Sequence, residues 1–292
     1  MKINFRIIIT VLICGMVIVG CKPKKAFGPE VENDIKFDSI VVNERYYLLG
    51  DSTNPFCMLE SSFIFPSEYK DKEVFNNLIS YFIFSFFGED TISTTPKDAM
   101  DNYIQKYIAD YKELENDFIT ETEILGEKPS QESWFAYYEM STNEILYNKC
   151  DLLSFSTSIE YYTGGAHGGH GYNNHVLNLK TGKKLTEADI FTENYHDNLS
   201  RIIIEVLAAN NNVTNPEELE NMGYFNVKEI YPNNNFYVDE NGITYTFNEY
   251  EIAAFFIGRT DVLLPYEKIS HLLREDSPIA PIAFITKNEH SN

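Results

Sequence analysis

Basic residues are scarce in this chain. It has 23 lysines and arginines against 44 aspartates and glutamates, which gives a formal net charge of −21 at pH 7. Nucleic acids and anionic lipid surfaces are bound mainly through lysine and arginine, so this balance argues against either as the main partner. An acidic surface of this strength serves solubility or favours a cationic partner, and the composition leaves both explanations open.

Long apolar runs and short catalytic signatures are also missing. Beyond residue 21 no apolar run approaches the ~18 residues that indicate a transmembrane helix. Neither G-x-S-x-G nor H-E-x-x-H occurs, and these patterns mark serine hydrolases and zinc proteases. Carboxylates are so numerous that choosing a glycosidase-like pair would be arbitrary. We therefore favour binding over catalysis and expect no cofactor.

The N-terminus has the features of an export signal. Lys2 and Arg6 precede an almost wholly apolar segment, 7–19, which is short for a membrane helix but typical of a secretory signal. It ends in Ile-Val-Gly-Cys, which resembles a bacterial lipobox. We predict that residues 1–20 are a cleaved lipoprotein signal peptide and that Cys21 carries palmitate-type acyl chains. The alternative is an uncleaved N-terminal anchor.

Cleavage at this point would place the protein in the cell envelope, outside the cytoplasm or in the periplasm, and attached to a membrane through its lipid. Loss of Lys2 and Arg6 would change the formal charge from −21 to −23. Residues 21–34 are polar and contain proline, and we interpret them as a tether. The nature of the anchor is the firmest functional expectation from the sequence.

Four cysteines are present, but only two remain for structure. Cys14 lies in the predicted signal peptide and Cys21 is the predicted lipid site. Cys57 and Cys150 form a candidate disulfide, because disulfides persist in oxidising compartments. Each also lies beside an apolar run, so two separate buried thiols are the alternative. Their spacing does not indicate a zinc site.

Hydrophobic periodicity divides the chain into strands and helices. Strands are predicted at 35–49, 56–65, 134–147, 152–162, 172–179, 236–238, 243–247 and 261–264. Helices are predicted at 73–87, 96–115, 198–209 and 266–273. Strands and helices are segregated, which favours an α+β fold with two segments of antiparallel sheet and packed helices. We place an N-terminal domain at 35–150 and a C-terminal domain at 151–292.

Three stretches carry a family resemblance: YYTGGAH at 161–167, LTEADIF at 185–191 and FNEYEIA at 247–253. They resemble the domain of unknown function in the extracellular part of lysozyme-sensing anti-sigma factors and in a secreted mycobacterial antigen. Family members usually continue with Pro-Tyr, where this chain has Ala254-Phe255. Residues 35–160 resemble the companion domain found ahead of polysaccharide deacetylase modules. The resemblance implies an α+β fold and an envelope binding role, and it transfers no catalytic residue.

The glycine-rich segment GGAHGGHG at 164–171 is the one candidate site. With His175 it gives the pattern H-x2-H-x4-H, and imidazole is a common metal ligand. So many glycines make a poor platform for a metal ion, and we favour a strand connection that uses unusual backbone angles. We predict no metal. Our candidate ligand-binding loop comprises Tyr161, Tyr162, Gly164, Gly165, His167 and His170.

These features predict a lipid-anchored envelope binding protein without catalytic activity. Its expected partner is a cationic protein such as a lysozyme, or a cell-wall glycan fragment. The alternative is a metal-dependent envelope hydrolase acting on glycan or peptidoglycan, with the histidine loop as its metal site. Tyr161 and Tyr162 would contact the ligand in the first case, or serve only in packing.

Overall fold

The computed structural model describes residues 32–89 and 91–283. The predicted signal peptide, Cys21 and most of the predicted tether lie outside the described residues. In the described ranges, no helix combines the length and the apolar character needed to cross a membrane.

A six-stranded sheet forms the centre of the molecule, with its strands side by side in chain order. Neighbouring strands are antiparallel except the second and third, which are parallel, so the sheet is mixed. The strands are β1 (Ile35–Tyr47), β2 (Phe56–Tyr69), β3 (Tyr137–Lys149), β4 (Leu152–Tyr162), β5 (Gly169–Asn178) and β6 (Lys183–Lys184). This sheet runs unbroken across the domain boundary placed at residue 150.

Three helices cross from β2 to β3 and cover one face of this sheet. They are α1 (Lys72–Phe87), α2 (Pro96–Lys112) and α3 (Glu115–Leu125). A parallel pair of strands needs such a long crossover. The side chains of Asp71 and Thr95 accept hydrogen bonds from the first turns of α1 and α2, which fixes where these helices begin. The single helix expected at 96–115 is in fact α2, and α3 follows it after a short break.

A second layer packs against the other face of β4 and β5. It contains the antiparallel strands β7 (Phe236–Val238), β8 (Gly242–Phe247) and β9 (Thr260–Pro265). Behind them lie α4 (Glu187–Ile190), α5 (His196–Asn210), α6 (Tyr266–Ile269) and α7 (Ala280–Ala283). The α+β class is confirmed. This layer reaches β4, β5 and the end of β3, where Tyr147 is buried in its core. No described element covers β1, β2, the rest of β3 and the outer end of β4 on the side that points away from the helices. We call this the open face.

Side-chain amides join the two sheets. On its outer edge β5 pairs with β6 only at Leu177 and Asn178, so its remaining backbone groups need other partners. Asn235 accepts from the Asn174 N–H at 2.7 Å and donates to the Tyr172 carbonyl at 2.9 Å. Asn248 accepts from the Tyr172 N–H at 2.7 Å. These bonds end the large sheet and hold β7–β9 against it.

Three local predictions were wrong. Pro66 does not stop β2, which continues to Tyr69 with Ser67 as an extra residue opposite the Lys36–Phe37 step. The parallel ladder with β3 ends at Ser62, and a proline is tolerated where a strand has an unpaired edge. The turn between β3 and β4, expected at Asn148-Lys149, lies at 150–151, where both φ angles are positive. The helix expected at 266–273 is the single turn α6.

The candidate disulfide is also corrected. Cys57 pairs with Tyr137 at the start of β3, whereas Cys150 follows the end of the same strand. At ~3.3 Å per residue this separates the two cysteines by roughly 40 Å, and a disulfide requires Cα atoms within ~7 Å. Both are free thiols, Cys57 buried and Cys150 half-buried, so the alternative of separate thiols describes this fold.

We expect Phe82→Ala to lower the free energy of unfolding by about 3–5 kcal/mol, because it empties a large buried volume. Phe82 is fully buried and stacks on Phe155 with 4.1 Å between ring centroids. Phe84→Ala on the same helix, where the ring is 43% exposed, should change stability by less than about 1 kcal/mol. Urea unfolding followed by circular dichroism measures both. Equal losses would contradict the packing described here.

We expect Asn235→Ala to destabilise the protein by about 1–3 kcal/mol, because it leaves the backbone N–H of Asn174 on β5 without its acceptor. Besides its bonds to β5, Asn235 donates to the Thr246 carbonyl at 3.0 Å. Asn173→Ala is the matched control, since this asparagine lies exposed on β5 and should cost no more than about 0.5 kcal/mol. Hydrogen exchange should show faster exchange at Asn174 only in Asn235→Ala, because the Tyr172 N–H is bonded to Asn248 and stays protected. Unchanged exchange at Asn174 would contradict the proposal that Asn235 holds the edge of β5.

Candidate functional site at the corner of the two sheets

The glycine-rich loop meets the 248–258 segment at one corner of the molecule. His170 lies between two carboxylates: its Nδ1 is 2.9 Å from Glu249 and its Nε2 is 3.9 Å from Glu160. The Tyr138 hydroxyl also donates to Glu160, at 3.1 Å. Burial and this carboxylate raise the pKa of Tyr138. The corner therefore offers two carboxylates on either side of one imidazole ring.

Aromatic rings, several of them exposed, lie beside the neighbouring histidine of the loop, His167. The His167 ring stacks on Phe255 with 4.3 Å between centroids, and Tyr250 stacks on the same phenylalanine at 5.6 Å. Phe256 is 75% exposed, and its ring lies so close to Gly223 that a Cβ there would approach it to 2.6 Å. We call Met222, Phe225, Tyr250, Phe255 and Phe256 the aromatic ridge.

Backbone hydrogen bonds hold the two segments of the ridge together. The Phe225 N–H donates to the Ile252 carbonyl at 2.8 Å, and the Ala254 N–H donates to the Gly223 carbonyl at 2.9 Å. Exposed apolar groups that are contiguous and backed by fixed backbone mark interaction surfaces more often than scattered ones do. The Ala254-Phe255 departure from the family pattern lies within this ridge.

A buried carboxylate fixes the chain that leads to the corner. Glu187 is almost fully buried. It accepts from the Tyr195 hydroxyl at 2.8 Å and from the Asn234 N–H at 2.7 Å. Asn234 has a positive φ of 56°, a conformation that non-glycine residues adopt only when neighbours hold it. Glu187 thereby places Asn235 against β5.

The three histidines of the loop point in different directions. His170 and His175 lie five residues apart on β5, and strand side chains alternate between faces, so they point to opposite faces of the sheet. His175 is buried against Phe155, and its Nδ1 is 2.9 Å from the Tyr81 hydroxyl. Burial lowers the pKa of His175 to about 3, so its ring is neutral at pH 7. Within the described residues, no group of histidine, cysteine and carboxylate side chains converges on a metal position.

The remaining residues of the candidate loop shape it. Gly164 has a φ of +82°, and a Cβ there would lie 2.9 Å from the Trp134 carbonyl oxygen, so a glycine is required. The Tyr162 hydroxyl donates to the Gly165 carbonyl at 2.9 Å, and its ring stacks with Tyr138. Tyr161 is only partly covered. Thus Tyr162 has a structural contact, and Tyr161 remains available at the surface.

Sequence reasoning identified the loop but missed its partners. Glu249, Tyr250 and Phe255 were noted only as part of a family-like stretch, because nothing local indicates that they face residues about 80 positions away. The run Asn233-Asn234-Asn235 was the one available signal. Asparagine side chains often bond to nearby backbone in place of secondary structure, but the identity of that backbone cannot be read from the run.

Comparison with known proteins identifies the family. Residues 188–267 match a family described as "Protein of unknown function (DUF3298)", and residues 68–170 match one described as "Deacetylase PdaC". A comparison with curated proteins finds no match.

The fold is similar to a crystal structure of a DUF3298 family member from Bacteroides fragilis NCTC 9343. The TM-score is 0.80 with 33% identity, covering 86% of this chain and 98% of that one. A DUF3298 family protein from Pseudomonas aeruginosa PAO1 has a TM-score of 0.55 at 10% identity, with 82% and 96% covered, which shows the fold alone. With a relative of 33% identity over nearly its whole length, the chain belongs to the DUF3298 family.

Proposed function

We propose that this protein is a lipid-anchored binding protein of the cell envelope, and that its ligand docks at the corner formed by His170 and the aromatic ridge. The observation that carries the proposal is the adjacency of two features there. Exposed rings supply apolar contact area, and Glu160 and Glu249 supply negative charge beside them. Aromatic residues often provide most of the affinity of an interface, whereas charges set its specificity and its association rate.

The charge at the corner favours a cationic ligand. Among the described residues, neither Glu160 nor Glu249 has a lysine or arginine as an ion-pair partner: both lie against His170, and Glu160 also accepts from the Tyr138 hydroxyl. Arg259 lies nearby over the Tyr172 ring, but it is held by Asp261. A basic protein such as a lysozyme fits this arrangement better than an acidic partner. A cell-wall fragment with free amino groups would offer the same chemistry.

The arrangement supports binding more than hydrolysis. In the alternative, a metal-dependent hydrolase, His167, His170 and His175 would have to share one ion. In this fold His167 stacks on Phe255, His170 bonds to Glu249 and His175 is buried beside Tyr81. No observation specifically favours the hydrolase, so we do not carry it further.

We expect Cys21→Ser to remove the protein from the membrane fraction or to leave its precursor unprocessed. Stable attachment needs two or more acyl chains, and an acidic surface gains nothing from anionic headgroups. Detergent phase partitioning and mass determination of the N-terminus test this. If the variant loses residues 1–20 and still partitions fully into detergent, the anchor is not the lipid on Cys21.

We expect the protein to bind a c-type lysozyme in isothermal titration, with affinity that falls as salt rises because the Debye length shrinks. Phe256→Ala should weaken binding at least about fivefold, as expected for an exposed aromatic contact, and Glu249→Gln should reduce the salt dependence. Ile92→Ala and Glu123→Gln are matched controls, since Ile92 is exposed on the loop between α1 and α2 and Glu123 is exposed on α3.

Two results would count against this proposal. Absence of binding at high micromolar concentration and low salt would exclude lysozyme as the partner. Binding that responds equally to the corner variants and to their controls would place the contact surface elsewhere.

A further inference from the structure

The open face of the six-stranded sheet continues from the corner across four more strands. The pairing registers place Asn43, Glu60, Met140, Glu160 and His170 side by side, one from each of β1 to β5. We call these five residues the transverse row. Direct partners in neighbouring strands share a face, so the row crosses the sheet in a line that ends at Glu249, beyond His170.

The row is most accessible from β1 to β4, and side-chain exposure falls toward the corner, from 45% at Glu160 to 33% at His170 and 13% at Glu249. Met140 at its centre is 41% exposed, and Val41 on the adjacent row is 73% exposed. The helices α1–α3 lie behind the sheet, and the layer that contains β7–β9 covers β4, β5 and the end of β3 at Tyr147. In the described part of the chain no other element covers this face.

No basic side chain of the described residues neutralises the carboxylates of the row. Glu60 accepts a hydrogen bond from Asn43 at 2.9 Å, and Glu160 accepts one from Tyr138. Over the described ranges, no lysine or arginine forms an ion pair with Glu60, Glu160 or Glu249. Arg45 is the direct partner of Met58 on β1, and its guanidinium lies over the Phe56 ring at 4.3 Å and 3.6 Å from the Met58 sulfur rather than against a carboxylate of the row.

An apolar row runs beside the acidic one. Met58, Tyr138 and Tyr162 are direct partners on β2, β3 and β4, and the two tyrosine rings stack with 6.2 Å between centroids. Rows of aromatic rings on a flat surface are suited to extended, proline-rich peptides, which present a repeating face without internal hydrogen bonds.

The spacing of the carboxylates selects among cationic ligands. Glu60 and Glu160 are two strands apart, which is roughly 10 Å at ~4.8 Å per strand. A peptide in the polyproline II conformation has three residues per turn and rises ~3.1 Å per residue, so every third side chain lies on one side at steps of roughly 9 Å. The distance between alternate strands and the three-residue repeat of the peptide therefore agree to within about an ångström.

We propose that the open face binds an extended basic peptide segment of a partner protein in the polyproline II conformation, lying along the transverse row with a lysine or arginine at every third position. Its cationic side chains contact Glu60, Glu160 and Glu249 in turn, and its apolar residues pack on Met58, Tyr138 and Tyr162. This inference rests on the proposed binding function and identifies the chemistry of the ligand.

The test compares two synthetic proline-rich peptides of identical composition. One has a lysine at every third position, and the other has the same lysines in one block. Fluorescence anisotropy at low ionic strength should show that the spaced peptide binds the lipid-free mature protein about fivefold or more tightly. Glu60→Gln should weaken the spaced peptide about two- to fivefold, as expected for one exposed ion pair, and leave the block peptide unchanged. Glu123→Gln is the control and should change neither.

Tighter binding of the spaced peptide that depends on Glu60 would support the inference. Equal affinity for the two peptides, no response to Glu60→Gln, or no binding of either peptide would overturn the inference. The lysozyme titration separates this failure from failure of the proposed function. Loss of lysozyme affinity in Phe256→Ala together with equal peptide affinities would keep the corner as a binding site and reject the transverse row. No dependence on either Glu60 or Phe256 would reject both.

Discussion

The hydrogen bonds from Asn235 and Asn248 to the free edge of β5 are the constraint on which the rest of the structure depends. An unpaired strand edge invites further strands, and here side-chain amides occupy it. They end the large sheet and also hold the second sheet against it. Without them, Glu249 and Phe255 would have no defined position relative to His170 and His167, and the corner would not exist.

This mode of joining also explains why one side of the sheet is open. A second layer that paired through a full backbone ladder would extend the sheet, and a layer packed over its whole face would bury Glu60 and Met140. Side-chain amide contacts restricted to Tyr172 and Asn174 neither extend the sheet nor bury Glu60 and Met140. The polar and half-exposed character of the transverse row fits that geometry, because uncompensated carboxylates such as Glu60 are stable only where water or a ligand reaches them.

Periodicity was sufficient to predict most of the fold. The bounds of β4 and the end of α1 at Gly88 were correct, because alternation and a three-to-four repeat are local properties. The parallel pairing of β2 with β3 was not predictable, since it depends on where a 67-residue crossover returns. Of the site, the sequence predicted the glycine-rich loop, which is one continuous segment. It did not predict the residues that face the loop, because they are distant in the chain. The candidate disulfide failed for the same reason: neither the composition nor the expected oxidising compartment indicates how far apart Cys57 and Cys150 lie in the fold.

Net charge alone could not separate solubility from recognition, but the placement of the charges can. Lys228 and Glu217 form an ion pair away from the open face, and Lys36 and Glu68 form one beyond the irregularity at Lys36–Phe37, at the far end of β1 and β2. Among the described residues, by contrast, the carboxylates of the transverse row have no lysine or arginine partner. Were the acidic excess only for solubility, unpaired carboxylates would have no reason to align at the spacing of alternate strands beside a tyrosine row. The registers of β2, β3 and β4 create that alignment, so the pairing that builds the sheet also sets the spacing of its ligand's charges.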